Sequence, residues 1–203
     1  SKLKTLQPQK TKISHCQFLL DTLCEAIGKD GTLLIPTFTY KFCSTGMYDP
    51  LRSKSEIGIF PNFTLTQPDF SRSVHPVFSF SIKGKNKSYF MQNISPSGFG
   101  HGSIFERLHK KNAKILFFNA SFQSCTFVHH IEEMHGIDYR YIKSFNGKIK
   151  VNGLMEECYA DNMVRSLDGS IITDLSNFEN DLLTSGKLFS QETKSGKNLI
   201  KTC

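Results

Sequence analysis

Long apolar runs, paired cysteines and a leader pattern are missing from this sequence. No run approaches the roughly 18 consecutive apolar residues that a membrane-spanning helix needs, and the first residues do not have the pattern of a secretory signal peptide. The six cysteines include no C-x-x-C pair, which argues against a zinc knuckle or a dense disulfide framework and for reduced thiols. These absences predict a cytoplasmic protein without a membrane partner.

Tryptophan is also absent, yet the 18 phenylalanines and the hydrophobic fraction of 38% are ordinary for a globular protein. Such a composition argues against disorder. At 203 residues, the chain is long enough for one domain with a sizeable core. Because no internal repeat or low-complexity linker divides it, we predict a single domain over residues 1–203.

Acidic residues are fewer than basic ones, 18 against 25, which gives a net charge of +7. This excess indicates either a solvated basic surface or attraction for a phosphorylated ligand. Nucleic acid is one such ligand, but the lysines are spread rather than clustered with aromatic residues, and no nucleic-acid motif is recognised. We predict no nucleic-acid partner. A basic nucleic-acid-binding protein remains an alternative, which salt-dependent binding to DNA would favour.

Hydrophobic periodicity predicts helices and short strands in the same chain. An amphipathic helix is expected at residues 13–28 and another at 174–185, and Ser103 and Glu106 have the spacing of a capping box at the start of a third. Buried strands are predicted at residues 33–38, 78–82 and 115–118. Residues 39–75 have little periodicity and read as a long ordered loop around a functional site.

Two Asn-Gly pairs predict turns in the last third of the chain. Asn146 and Gly147 are flanked by residues 139–144 and 148–151, which is a strong signal for a β-hairpin. The pair at residues 152–153 suggests a second turn.

The stretch at residues 114–133 carries the clearest chemistry. Its strand runs into a loop of small polar residues, and the loop opens a helix at about Thr126, with His129 in the first turn and Glu132 and Glu133 just after it. A histidine after the carboxyl end of a strand, beside hydroxyls and free backbone N–H groups, is placed as a general base often is in α/β enzymes.

Five segments follow one another in a distinctive order. They are residues 31–38 (GTLLIPTF), 49–50 (DP), 71–79 (SRSVHPVFS), 98–103 (GFGHGS) and 126–132 (TFVHHIE). In this order and rough spacing, they resemble the aminoglycoside 3-N-acetyltransferase family. The resemblance covers residues 31–133 and fades after them. It implies direct acetyl transfer from acetyl-coenzyme A to a small-molecule amine, and we predict a three-layer α/β/α fold with a mixed central sheet.

The resemblance gives the residues around the helix candidate catalytic roles. His129 is the expected general base, and Glu132 or Glu133, three and four residues later, could orient its ring. Thr126 is expected to cap the helix, and its hydroxyl or the helix amides could polarise the thioester carbonyl. In the family an acidic residue further downstream also partners the histidine, and Glu179 is the candidate for this role, with Asp174 behind it.

Further segments are expected to bind coenzyme A. Arg72 could pair with a phosphate and Ser73 could bond the pantetheine arm, although a structural turn would explain this segment as well. Glycines 98, 100 and 102 are taken as a turn that permits close approach of the cofactor. The predicted cofactor-binding residues are Thr37, Arg72, Ser73, His75, Gly100 and Ser103.

Two other chemistries are considered and set aside. The cluster of His129, His130, Glu133 and His135 lacks the H-E-x-x-H arrangement of a catalytic zinc site, so no metal is predicted. Cys125 is taken as a small core residue, because the family transfers acetyl without an acyl-enzyme.

The acceptor and the completeness of the site remain open at this stage. The basic charge, and Gln123 where the resistance enzymes often have Asp, favour a nucleotide-linked or surface-polysaccharide amino sugar; an aminoglycoside-modifying resistance enzyme is the alternative. Residues 1–6 look like the tail of a coenzyme A-binding segment, with Lys2 where the family usually has serine. This suggests an amino-terminally incomplete chain, and a truncated, catalytically degenerate member is a further alternative.

Overall fold

A computed structural model describes residues 11–192 and 199–202 of the chain, so the expectation for residues 1–6 and Lys2 lies outside the described residues. In chain order the elements are α1 (Lys12–Ile27), β1 (Thr32–Pro36), α2 (Phe42–Thr45), β2 (Met47–Tyr48), α3 (Ile59–Thr64), β3 (Ser71–Arg72), β4 (Phe80–Gly84), α4 (Lys87–Met91), α5 (Ile104–Lys110), β5 (Leu116–Phe118), a 3-10 helix (Phe122–Ser124), α6 (Val128–Met134), β6 (Tyr141–Val151), β7 (Leu154–Val164), α7 (Ser176–Thr184), β8 (Phe189–Glu192) and β9 (Leu199–Thr202). No helix among the described residues is long and apolar enough to cross a bilayer.

The predicted helices form where local signals are strongest. Thr11 caps α1 by accepting the N–H of Ser14, and Gly28 ends it at a φ of 66° while its N–H donates to the carbonyls of the last turn. Ser103 likewise caps α5 by accepting the N–H of Glu106. The helix expected near the end of the chain is α7. All three helix predictions are confirmed, because side-chain caps and glycine stops act over a few residues.

The predicted α/β class is confirmed, and its strands belong to three three-stranded sheets. Hydrogen bonding gives the orders β1-β4-β3, β2-β6-β7 and β5-β9-β8. Strand β2 pairs with β6 in parallel, whereas the other pairs are antiparallel. Residues 39–75, predicted as a loop, also contain four short elements, α2, β2, α3 and β3. Strand β5 takes its partner from the far end of the chain, which local patterns do not encode.

The hairpin of β6 and β7 corrects the prediction of its turn. Asn152 and Gly153, with φ angles of 49° and 87°, form the turn, while Asn146 and Gly147 lie inside β6. A Cβ at position 147 would lie 2.3 Å from the carbonyl oxygen of Gly46, which also accepts the N–H of Lys148 at 2.7 Å. Gly147 therefore serves the close approach of the neighbouring chain segment rather than a turn.

Phenylalanine rings build the main core between the first sheet, α5 and the hairpin. Phe38, Phe78, Phe80, Phe99 and Phe105 are all buried, and their contacting rings have centroids 4.6 to 6.4 Å apart. Ile149 and Ala160 of the hairpin join the same cluster. Burying a phenylalanine side chain contributes about 1.5–3 kcal/mol to stability. The cluster therefore fixes the loop that carries Phe99, whose ring contacts His129 of α6.

Candidate active site

His129 lies in the first turn of α6, on the segment that follows β5. The residue at the helix N-cap is Phe127, without a side-chain capping bond. The prediction that Thr126 caps this helix is therefore wrong. Thr126 contributes its carbonyl oxygen, which accepts the N–H of His129 at 3.2 Å, because α6 begins two residues after the predicted start.

His129 and Glu132 form a hydrogen-bonded pair on one face of α6. Nδ1 of His129 lies 2.6 Å from Oε2 of Glu132, and the imidazole packs against the ring of Phe99 in a T-shaped arrangement with centroids 5.2 Å apart. Because an ionised carboxylate only accepts, the hydrogen is assigned to Nδ1 and Nε2 keeps its lone pair. In the described part of the chain Nε2 has no hydrogen-bond partner, so it can accept a proton.

Burial and the positive charge of Arg140 favour the neutral form of the His129 ring. Burial lowers the pKa of His129; the hydrogen bond to Glu132 opposes this effect and the positive charge of Arg140 adds to it. The pKa therefore lies below its ordinary value, and the ring is neutral near pH 7. A neutral imidazole with one free nitrogen is the form that a general base requires.

Glu132 is held from two further directions. Burial opposes its ionisation, but hydrogen bonds from His129 and Tyr139 and the charge of Arg140 bring its pKa below the ordinary value. The hydroxyl of Tyr139 donates to Oε1 at 2.9 Å, and Nε of Arg140 lies 3.0 Å from Oε2. Sequence reasoning missed Tyr139 and Arg140, since they follow the end of α6 and carry no motif.

The region predicted to supply a second carboxylate packs beside residues 119–127, which connect β5 to α6 and are called the His129 loop below. Glu179 lies in the first turn of α7, and α7 contacts the 3-10 helix through the rings of Phe178 and Phe122, 5.8 Å apart. Glu132 supplies the carboxylate observed against His129, so a role for Glu179 remains a prediction.

Gln123 joins the His129 loop to the start of α7. Its side-chain amide donates to Oδ1 of Asp174 at 3.0 Å and accepts the N–H of Leu175 at 3.2 Å. Both ends of the amide thus serve the fold. Asp174, the second candidate for the acidic partner of His129, bonds to Gln123 in this way, and a role for it beside His129 remains a prediction.

Arg72 donates hydrogen bonds to other parts of the protein. Its guanidinium donates to the carbonyl oxygens of Thr37 at 2.8 Å, Pro50 at 3.3 Å and Ser53, and to the hydroxyl of Ser79 at 3.0 Å. These bonds tie the segment before α3 to β1 and β4. These four bonds give Arg72 a structural role, while phosphate binding by Arg72 remains a prediction.

Ser73 and His75 are also engaged by the backbone. The hydroxyl of Ser73 accepts the N–H of Phe80 at 2.8 Å. Nδ1 of His75 accepts the N–H groups of Val77 at 3.1 Å and Phe78 at 2.8 Å, so Nε2 carries the hydrogen and donates to the Pro96 carbonyl at 3.2 Å. Burial lowers the pKa of His75 to about 4. These contacts favour the structural-turn interpretation over cofactor binding.

The other predicted cofactor residues have internal partners as well. Thr37 is fully buried, with its hydroxyl 2.9 Å from that of Ser79, and Ser103 caps α5. A Cβ at Gly100 would lie 2.1 Å from Oε1 of Glu133. The close approach at this glycine is therefore made by the side chain of Glu133, where a cofactor had been expected.

His130 and Cys125 are both part of the packing. His130 is buried, with Nδ1 2.6 Å from the Phe99 carbonyl oxygen and Nε2 3.1 Å from Nδ1 of His109. Cys125 packs against the apolar cluster around Phe117 and Phe122. Within residues 11–192 and 199–202, no three His, Cys, Asp or Glu side chains are grouped as a metal site would need.

Comparisons with known proteins find one matching family and several solved structures with the same fold. The family model described as aminoglycoside 3-N-acetyltransferase matches residues 1–199, while a search of curated proteins finds no match. Among solved structures, AAC-IIIb in a binary complex with CoASH has a TM-score of 0.78 at 19% identity, covering 91% of this chain and 77% of that one.

Two further structures have the same fold. Aminoglycoside acetyltransferase AAC(3)-Xa gives a TM-score of 0.76 at 20% identity, with 92% and 75% of the two chains covered. The YokD protein from Bacillus subtilis gives 0.71 at 18% identity, with 93% and 79% covered. At these identities the likeness establishes the fold.

Proposed function

Because the chain belongs to the aminoglycoside 3-N-acetyltransferase family, we propose that it transfers an acetyl group from acetyl-coenzyme A to an amine of an aminoglycoside, with His129 as the general base. The observation that carries the proposal is the His129–Glu132 pair, in which one imidazole nitrogen is bonded to the carboxylate and the other, without a partner among the described residues, can accept a proton.

The proposed reaction assigns each proton to an atom. Acetyl-coenzyme A supplies a thioester carbonyl that an amine can attack. As the C–N bond forms, Nε2 of His129 takes a proton from the amine, and the C–S bond then breaks. Glu132 stabilises the imidazolium through Nδ1. His129 returns the proton to the departing thiolate sulfur, which leaves an amide, a free thiol and the neutral base.

The aminoglycoside acceptor is supported by a carboxylate next to the base. Glu133 follows His129 by four residues on α6, and its Oε2 is buried without a hydrogen-bond partner among the described side chains and backbone. Burial raises the pKa of Glu133; a substrate ammonium that reached this oxygen would satisfy it and hold the carboxylate ionised. Solved structures with this fold include AAC-VIa bound to sisomicin and AAC(3)-IVa in complex with a gentamicin or with apramycin.

A nucleotide-linked amino sugar is the second candidate, and it rests on the net charge of +7. Long-range attraction would favour its phosphates. Such a preference should weaken as salt rises, because exposed charges are screened over about 8–10 Å near physiological ionic strength.

A thiol-release assay with both acceptor classes, at low and high salt, separates these candidates. We expect turnover of a gentamicin-type aminoglycoside at both salt concentrations. Turnover of a nucleotide-linked amino sugar, with none of any aminoglycoside, would overturn the main proposal. A parallel titration with coenzyme A addresses the degenerate alternative, which predicts binding without turnover of either acceptor.

A further inference from the structure

Arg140 is a buried cation directly behind the His129–Glu132 pair. Its side chain is only 5% exposed, and Nε lies 3.0 Å from Oε2 of Glu132, the same oxygen that His129 contacts. The N–H of Nε does not point at this oxygen, and Nε has no hydrogen bond in the described structure. The contact is therefore one of charge with charge.

The second anchor of Arg140 fixes where its charge lies. One of its terminal nitrogens donates to the hydroxyl of Thr173 at 2.8 Å, and the next residue, Asp174, holds Gln123 of the His129 loop at 3.0 Å. The segment before α7 thus contacts both the cation and the loop that leads to the base. Because Arg140 contacts both Glu132 and Thr173, its charge is held at a fixed position relative to Glu132.

Glu132 does not need Arg140 for hydrogen bonding, since each of its oxygens already has a partner in His129 or Tyr139. Burying a guanidinium is costly unless its charge is compensated. The arrangement is therefore best explained by its electrostatic effect on the pair.

Resting on the proposed function, we propose that Arg140 sets the charge state of the pair, holding Glu132 as an anion while His129 stays neutral until it receives the proton of the amine. Arg140 is a positioning residue in this scheme, because it acts on the base through Glu132 and touches no reacting atom. Without its charge, a proton from solvent would occupy His129 at a higher pH and block the base.

The charged groups that face the pair are few. Glu132 and Arg140 are the charges that act on His129. Tyr139, with Asp138 beside it, faces Glu132 from the segment before β6. Glu133 of the same helix contacts the hydroxyl of Ser97 at 3.5 Å, and the neighbouring loop presents the uncharged ring of Phe99. Removing the Arg140 charge therefore has one main expected effect on the ring.

The test measures the titration of His129 by NMR in histidine-labelled protein, with the His129 signal assigned by its loss in His129→Gln. In Arg140→Met and Arg140→Gln we expect the midpoint to rise by about half a unit to one unit. Arg140→Lys should keep it near the wild-type value, because the charge remains. Arg52→Met, at an exposed arginine distant in sequence from the pair, is the matched control and should leave the midpoint unchanged.

The pH profile of kcat/KM gives the functional counterpart. The acid limb should move upward with the NMR midpoint in Arg140→Met or Arg140→Gln, and the rate should recover above that limb. An unchanged His129 midpoint in a folded charge-removing variant would overturn the proposal. A midpoint in Arg140→Lys that rises as far as it does in Arg140→Met would overturn it as well. The NMR titration needs no turnover. An inactive wild-type protein would therefore refute the proposed function, while the NMR midpoints would still test the effect of Arg140 on His129.

Discussion

At the scale of single residues, histidines are distinguished by what their ring nitrogens meet. His75 and His130 have both nitrogens engaged by the protein. In His129 one nitrogen contacts Glu132 and the other has no partner in the part of the chain that the structure describes. The sequence predicted His129 as the general base, which remains a prediction, and it placed His75 at a cofactor. It could not show that His75 turns its ring onto its own backbone.

His75 should make the folded protein sensitive to acid. Its pKa is about 4 when folded and near 6.5 when unfolded, so the unfolded state binds the additional proton. Stability from the neutral ring is fully present above about pH 6.5 and falls by roughly 3 kcal/mol as the pH drops through 4. Urea unfolding of wild type and His75→Asn at several pH values measures this contribution.

Asn is chosen because it keeps an acceptor near the position of Nδ1 and does not titrate. We expect His75→Asn to be less stable than wild type at pH 7.5 and to lose less stability between pH 6.5 and 4. Parallel pH dependences in the two proteins would show that the ring does not control acid sensitivity.

At the scale of elements, the two Asn-Gly pairs show where local pattern fails. Both have the composition of a hairpin turn, and only the pair at residues 152–153 forms one. Gly147 is selected by an approach from Gly46, which lies about a hundred residues earlier in the chain. Caps such as Ser103 were predictable because donor and acceptor are three residues apart; the partners of β2 and β5 were not.

Gly147→Ala should destabilise the protein by about 1–3 kcal/mol or more, as overpacking does. The new methyl group would lie 2.3 Å from the Gly46 carbonyl oxygen, and no flexible side chain is there to move. Chemical denaturation gives the free energy of unfolding.

Gly153→Ala is the matched control for this substitution. It has open space around the new Cβ but a φ of 87°, so it should cost about 1 kcal/mol through the backbone alone. A smaller loss for Gly147→Ala than for Gly153→Ala would contradict the packing argument.

At the scale of the whole molecule, the order of the motifs predicted the family, while the roles within the motifs were only partly predictable. Arg72 and Thr37 lie in the segments that carry the family motifs, but their polar groups form hydrogen bonds within the chain between β1 and β4. A motif assigns a segment to the family pattern. It does not show whether a side chain of that segment faces a cleft or the interior. That distinction depends on contacts between distant segments.

The central claim is that His129 removes the proton from the acceptor amine, and turnover of His129→Ala tests it most directly. With acetyl-coenzyme A and a gentamicin-type aminoglycoside, we expect kcat to fall by roughly a hundredfold or more, with acetyl-coenzyme A binding little changed. His135→Ala, at an exposed histidine that ends the same helix, should turn over at the wild-type rate. Near-normal turnover by a folded His129→Ala protein would contradict the account.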